Sequence, residues 1–402
     1  MSAMTNLRLA VFPVGVAEIL LAVWALSLVP FSLQRDLWRP LLGCWAIFFA
    51  ALIAGFALSA EGPINPGAHH NFLASIYCAG FSVLLVIALQ RLKPERLTAL
   101  LLQLALASVL IYTIAIVILM GPKTDLAQMM LMTTYYPGRL AAWSSNPNQL
   151  SLFFTGLPAL ILYGLASSPF STRQRVGLFA ALTGLFLLGL TQRSDALLLS
   201  WLAALTLLLV LSPFKAFGLK TRPLLLALAL LVSCWAGYRT VMTVEASNSP
   251  IQAAERLHIN LKPLIVLEEV HPSAIAVGLD PNKGSSRLTL WENGLQSWLE
   301  APLFGHGPGV FSSLPAYSFP IEAHNLAIDL LTQAGLIGTL PWLVLAGWIA
   351  WQAIRQRQAW ALALLVAIGV FSLAHYTFRM PIFWFYLLLA ASLVRQNKPC
   401  AA

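Results

Sequence analysis

Charge is scarce in this 402-residue chain, where 10% of residues are Asp, Glu, Lys or Arg and 59% are hydrophobic. Soluble globular domains carry about 25% charged residues, so that class is excluded. The net charge of +9 does not imply a nucleic-acid partner, because the basic residues are scattered through short loops between apolar runs and form no patch or stripe. Cysteine is rare as well. Cys44, Cys78, Cys234 and Cys400 lie in or beside apolar segments or at the end of the chain, without metal-type spacing, which excludes a disulfide framework and a zinc site. Asp-x-Asp and Glu-x-Asp triplets are missing throughout. An enzyme using Mg²⁺ or Mn²⁺ on a pyrophosphate needs clustered oxygen ligands. The nearest substitute is the adjacent pair Glu268 and Glu269, whose side chains would point apart on a helix. No internal repeat of the kind common in transporters is seen.

What is present is a series of long apolar runs. A bilayer crossing needs about 20 apolar residues, and eleven runs approach that length: Leu9 to Pro30, Leu41 to Ala60, Phe72 to Leu89, Leu97 to Met120, Leu150 to Leu165, Val176 to Leu190, Ala196 to Leu211, Pro223 to Tyr238, Gly335 to Ile354, Trp360 to Tyr376 and Pro381 to Val394. The first is longer than a signal-peptide core and lacks a small-residue cleavage site, so it is expected to be a retained span. The predicted fold class is an all-α polytopic membrane protein with 11 or 12 transmembrane helices, divided into residues 1–240, a large loop over 241–322, and residues 323–402.

Lys and Arg concentrate in cytoplasmic loops. Alternate connections hold Arg35 and Arg39; Arg91, Lys93 and Arg96; Arg173 and Arg175; Lys215, Lys220 and Arg222; Arg355 and Arg357; Arg395 and Lys398. That parity puts the C-terminus in the cytoplasm and the large loop in the periplasm, on the outer face of a bacterial inner membrane. The N-terminus falls outside unless Leu9 to Pro30 folds as a hairpin. Within the loop, helices are expected around Ile251 to Val270 and from Ser285 or Ser286 onward, the second with Leu288, Trp291, Leu295 and Trp298 on one face.

Cations that break the positive-inside pattern need a reason, and an outer-face site for an anionic ligand supplies one, since planar guanidinium groups match phosphate oxygens in pairs. Arg193 stands in the polar break Thr191-Gln192-Arg193-Ser194-Asp195. It is either a ligand arginine at depth, where insertion costs roughly 2.5 to 3.5 kcal/mol, or a headgroup arginine in a tight turn, paired with Asp195. Arg287 falls in the first turn of the Ser286 to Glu300 helix, where unpaired N–H groups favour an anion; the alternative is a solvated arginine paired with a carboxylate. His324 lies where the loop re-enters a helical pattern, with Asn325, Asp329 and Thr332 or Gln333 on one polar face. Its imidazole, with an ordinary pKa near 6.5, can accept a proton, or it can simply cap the helix. Gly335 and Gly338 mark the start of the span proper, and Pro341 is expected to kink it.

Weaker candidates share the outer face. They are Lys123 with Asp125, His69 with His70, and Arg139 after Tyr135-Tyr136-Pro137-Gly138, where an aromatic interfacial segment could grip a ligand or a lipid headgroup. Asn325, beside His324, is a further candidate substrate contact. Glu18 and Arg379 are intramembrane or boundary charges with no evident partner.

Taken together, Ser286-Arg287-Leu288-Thr289-Leu290-Trp291-Glu292-Asn293-Gly294, Ala301-Pro302-Leu303-Phe304-Gly305-His306-Gly307, Ala323-His324-Asn325, Ala334-Gly335-Leu336-Ile337-Gly338 and the upstream Thr191-Gln192-Arg193-Ser194 resemble the WaaL-type O-antigen ligases, within the O-antigen ligase and polymerase superfamily. The resemblance covers roughly Leu190 to Ala353. It implies a glycosyltransferase C-type fold and an inverting, metal-independent reaction without a cofactor. An O-antigen polysaccharide would pass from undecaprenyl diphosphate to lipid A-core, both substrates arriving through membrane lipid. By the same resemblance Arg193 and Arg287 hold the diphosphate and His324 is the base. An O-antigen polymerase or protein O-oligosaccharyltransferase would share this chemistry and differ in acceptor. A lipid or glycolipid transporter would use the cations only to bind cargo.

Overall fold

The computed structural model describes residues 38–58, 66–120, 133–135, 139–142, 144, 147–167, 169–192, 194–247, 283–309 and 322–396. Its helices are α1 (Trp38–Leu58), α2 (Pro66–Arg91), α3 (Pro94–Met120), α4 (Pro147–Thr155), α5 (Leu157–Ser167), α6 (Thr172–Leu190), α7 (Asp195–Leu211), α8 (Thr221–Ser247), α9 (Lys283–Glu300), α10 (Leu326–Arg355), α11 (Ala359–Ser372) and α12 (Pro381–Gln396). Among the described residues, seven segments are long and apolar enough to cross a membrane: α1, α2, α3, α4 with α5, α6, α8 and α10. Three shorter apolar helices, α7, α11 and α12, accompany them. The chain is a polytopic helical membrane protein, and each apolar run from Leu41 onward lies for most of its length on described helix. The run Leu9 to Pro30 with Glu18, and the expected helix around Ile251 to Val270, lie outside the described residues.

Both faces of these helices are apolar, because one meets protein and the other lipid. Leu110, Val117, Val210, Val344 and Trp351 are exposed on the outward side, while Phe48, Phe186, Trp201, Phe371 and Trp384 are almost completely buried. Helix α10 packs on α1, α11 on α7, and α12 on α2. Small residues permit the closest approach: a Cβ added at Gly338 would lie 3.0 Å from Cβ of Ala51. An aromatic cluster joins these helices, with Trp45 4.8 Å from both Trp342 and Trp384, and Phe378 5.0 Å from Trp384, between ring centroids.

Two local features depart from the run pattern. The run Leu150 to Leu165 is two helices, broken at Gly156, where an added Cβ would stand 2.3 Å from the Tyr386 ring. The Tyr386 hydroxyl enters the break and donates to the Phe153 carbonyl. Secondly, a short antiparallel ribbon, β1 (Thr133–Tyr135) with β2 (Arg139–Ala142), precedes α4 and pairs Tyr135 with Arg139.

Elements of one end of the bundle follow from the order of the spans. The α3–α4 ribbon, the α6–α7 turn, the segment between α8 and α10, and the α11–α12 loop are alternate connections, so helices that each cross once bring all four to the same side. For two of them, the segment before α10 and the α11–α12 loop, a hydrogen bond and an ion pair described next agree with that arrangement.

Candidate active site

Helix α10 begins at a cap that also fixes its neighbour. Asn325 has an extended backbone, and its Oδ1 accepts from the N–H of Ala327 at 3.0 Å and of Ile328 at 3.3 Å. Its Nδ2 donates to the Leu373 carbonyl at 3.3 Å, tying the cap to the α11–α12 loop. Immediately before it, His324 adopts φ 54°. Left-handed backbone costs a residue with a Cβ roughly 1 to 2 kcal/mol, so something must hold it. The holder is Asp329, fully buried one turn into α10. Oδ1 accepts from the N–H of Ala323 at 2.8 Å, and Oδ2 from that of Asn325 at 3.1 Å. One carboxyl therefore grips the peptide on either side of His324, and two such bonds at about 1 kcal/mol each offset the strain.

A second polar group surrounds the imidazole. Glu322 lies 4.0 Å from His324 Nδ1 and forms a close ion pair with Arg379 from the α11–α12 loop. Arg379 also donates to Asn71 Oδ1 at 2.7 Å, near the start of α2, and stands 5.6 Å over the Tyr376 ring. Burial pushes the Tyr376 phenol well above its usual range, with the nearby Asp329 carboxyl adding to the effect, so it remains a neutral hydroxyl. Arg379, without an evident partner in sequence, thus has three.

Below the cap, α10 is interrupted. Gly335 has φ 59° and ψ −165°, and the interruption lies there rather than at the expected Pro341. A broken helix leaves backbone groups unpaired, which is costly in an apolar setting. The segment Ala301 to Gly307 satisfies them. His306 and Gly307 N–H donate to the carbonyls of Thr332 (2.9 Å) and Gln333 (3.0 Å), while Leu336 and Ile337 N–H donate to the carbonyls of Pro302 (2.9 Å) and Leu303 (3.0 Å). Contact is so close that a Cβ at Gly335 would come 2.3 Å from the Leu303 backbone, and one at Gly305 2.5 Å from that of Gln333. On its other side the segment is bonded to α9: His306 Nε2 lies 2.7 Å from the Ser297 carbonyl, and Trp298 Nε1 donates to Pro302 at 3.1 Å. The two glycine-containing motifs are thus halves of one joint between α9 and α10.

This arrangement bears on three expectations. The polar face expected from Asn325, Asp329, Thr332 and Gln333 is sealed; all four are buried, at 6%, 0%, 0% and 2% exposure, and serve the cap and the joint. Helix α9 starts at Lys283, ahead of Ser285 and Ser286, so Arg287 lies past its first turn, where the pull of the helix end on an anion is weaker. The buried side of α9 runs through Leu290 and Gly294, while Leu288 and Leu295 are exposed.

Of the remaining sequence candidates, Arg139 opens β2 and Arg287 lies on α9. His69 and His70 lie in the first turns of α2. Arg193, Lys123 and Asp125 lie outside the described residues. On either side of Arg193, Thr191 Oγ1 donates to the Leu188 carbonyl at 2.6 Å, Gln192 is buried, and Ser194 caps α7. Glu322 and Asn71 were not singled out from sequence. The only local hint was a carboxylate two residues before His324.

The O-antigen ligase family matches residues 178–343. That stretch contains the α6–α7 turn, α9, the joint and His324, and stops short of Arg379. Nothing among curated proteins matches the chain.

Proposed function

Membership of the O-antigen ligase superfamily, supported by the match over residues 178–343, is the premise from which we propose that this chain is an O-antigen ligase. In this reading it transfers O-antigen polysaccharide from undecaprenyl diphosphate to lipid A-core at the periplasmic face of the inner membrane. The observation that carries the proposal is the backbone of His324, held left-handed by the Asp329 carboxyl at the head of a broken helix. Strained backbone that its surroundings over-determine is concentrated at functional sites.

The chemistry assigned to the residues is an inverting substitution. An acceptor hydroxyl attacks the anomeric carbon of the donor, and the bond from that carbon to the diphosphate oxygen breaks. The hydroxyl proton passes to His324, while the departing diphosphate takes up the negative charge. A sugar hydroxyl is a weak nucleophile and needs a base within hydrogen-bond reach. A diphosphate needs charge stabilisation as it leaves, which Arg193 and Arg287 supply in place of a metal, with Arg139 and Lys123 as further contacts; the Asn325 side chain is instead spent on the helix cap and the Leu373 carbonyl. A membrane glycosyltransferase C-type architecture, with both lipid substrates entering from the bilayer, belongs to the same reading.

The test is reconstitution with undecaprenyl diphosphate-linked glycan and lipid A-core in EDTA. Wild type is expected to transfer, and His324→Ala, Arg193→Ala and Arg287→Ala to lose nearly all turnover. Full activity in His324→Ala would remove the base, and EDTA inhibition reversed by Mg²⁺ would remove the arginine-only account. Chain growth on the lipid carrier without lipid A-core would make the protein a polymerase.

A further inference from the structure

The reaction proposed above uses His324, and the structure places a carboxylate beside that imidazole which the reaction scheme leaves without a task. Glu322 is partly buried, faces Nδ1 of His324 at 4.0 Å, and is locked against Arg379. Arg379 is in turn fixed by Asn71 at 2.7 Å and stands over Tyr376. Phe378, the residue before Arg379, is buried in the aromatic cluster between α1, α10 and α12. The carboxylate is therefore anchored through Arg379 to elements distant in sequence, at a fixed place relative to the ring.

Resting on the assignment of His324 as base, we infer that Glu322 is its positioning residue: the Arg379-anchored carboxylate holds Nδ1–H toward itself and stabilises the imidazolium formed when the ring takes the acceptor proton. An imidazole oriented by a carboxylate at one nitrogen presents the other nitrogen as the base, which is the logic of a base held by a third group. The gap of 4.0 Å exceeds a hydrogen bond but lies within ion-pair range, and such contacts shorten when substrate is bound. Arg379 limits the effect by drawing the same carboxylate away, so the two side chains act on His324 with opposite signs. Four groups face one another here: Glu322, Arg379, Tyr376 from the same loop, and Asp329 from the first turns of α10. Tyr376 stays neutral, and Asp329 is engaged with the backbone on both sides of His324.

Opposite signs make the inference testable on full-length protein without relying on turnover. Diethyl pyrocarbonate modifies only the neutral imidazole, so its rate at the His324 peptide, read by mass spectrometry against pH, reports the midpoint of protonation. Glu322→Gln leaves Arg379 unbalanced and is expected to lower that midpoint by about one pH unit, whereas Arg379→Gln is expected to raise it. Glu322→Asp, which keeps the charge, should recover part of the shift. In the transfer assay Glu322→Gln should lose at least about tenfold in kcat with KM for either substrate little changed. In a His324→Ala background it should alter the residual rate by less than about twofold. Midpoints that do not move, or that move the same way in both variants, would overturn the inference. His324→Ala inactive with Glu322→Gln at the wild-type rate and pH profile would overturn it while leaving the proposed function standing. Full transfer by His324→Ala would overturn both.

Discussion

Gly335→Ala tests whether the joint between α9 and α10 is as tightly determined as its contacts indicate. At φ 59° and ψ −165° the backbone occupies a region essentially reserved for glycine, where a side chain costs about 1 to 3 kcal/mol. The added methyl would also lie 2.3 Å from the Leu303 carbonyl carbon and oxygen and 2.5 Å from Phe304 N, which are backbone atoms with no rotamer to change. Relief is available only by straightening α10 into a continuous helix and expelling Ala301 to Gly307. That forfeits the four backbone hydrogen bonds of the joint, at about 1 kcal/mol each. Since straightening removes the backbone strain, the cost is set by the lost bonds, about 4 kcal/mol, a large part of the whole stability of many domains, about 5 to 15 kcal/mol. Gly347→Ala is the control, since nothing lies within 4 Å of its added Cβ and alanine favours a helix by about 1 kcal/mol. Thermal unfolding of detergent-purified variants should show Gly335→Ala melting far below wild type, and Gly347→Ala at or above it. Equal melting for both alanines would refute the claim that the break at Gly335 is held by the loop.

Two further outcomes follow from the described hydrogen bonds. Asp329→Asn replaces one acceptor oxygen with an amide nitrogen, so either Ala323 or Asn325 N–H loses its partner. The expected cost is about 1 to 3 kcal/mol of stability, and transfer should fall on the order of 100-fold through misplacement of His324. A variant with wild-type kcat would show that the grip on the His324 backbone is irrelevant to turnover. Tyr386→Phe keeps the ring against Gly156 but removes the only hydroxyl given to the Phe153 carbonyl among the described residues. Its melting should fall by an amount equivalent to about 1 to 3 kcal/mol, and an unchanged transition would mean that the α4–α5 break needs no such partner.

The spans were legible because crossing a bilayer demands length and apolarity that sequence displays directly. Breaks within them were not. The run around Gly156 holds Thr155, Gly156 and Pro158, which a count of apolar length passes over, and the group that satisfies its opened backbone, Tyr386, comes from the far end of the chain. Polar residues near His324 were visible as types and spacings, yet the period that put Asn325, Asp329 and Gln333 on one face carried no information about what covers that face. A wet face and one sealed by the Ala301 to Gly307 segment have the same pattern. Arg379 was noticed as a charge in need of a partner, but pairing with Glu322 and Asn71 is long-range geometry, which a local pattern does not encode.

The joint also bears on why glycine recurs in two motifs far apart in the chain. Gly305 and Gly307 take left-handed backbone at φ 67° and 93°, and Gly335 does so on the facing strand of chain. Such values at one motif alone would indicate a turn. At both, with the added-Cβ positions of Gly305 and Gly335 each falling on the partner's backbone, they indicate two main chains in direct contact. The consequence is mechanical. Arg287 lies on α9 and His324 stands at the head of α10; backbone hydrogen bonds fix the Ala301 to Gly307 segment on α10, and the His306 and Trp298 side chains tie that segment to α9. Under the proposed function, in which Arg287 would bind phosphate and His324 act as base, the cost of orienting them would be met in folding and not at each turnover. Substitutions on the exposed side of α9, such as Leu288 or Leu295, should therefore leave the alignment of the two helices intact, while any side chain at Gly305 or Gly335 should disturb it.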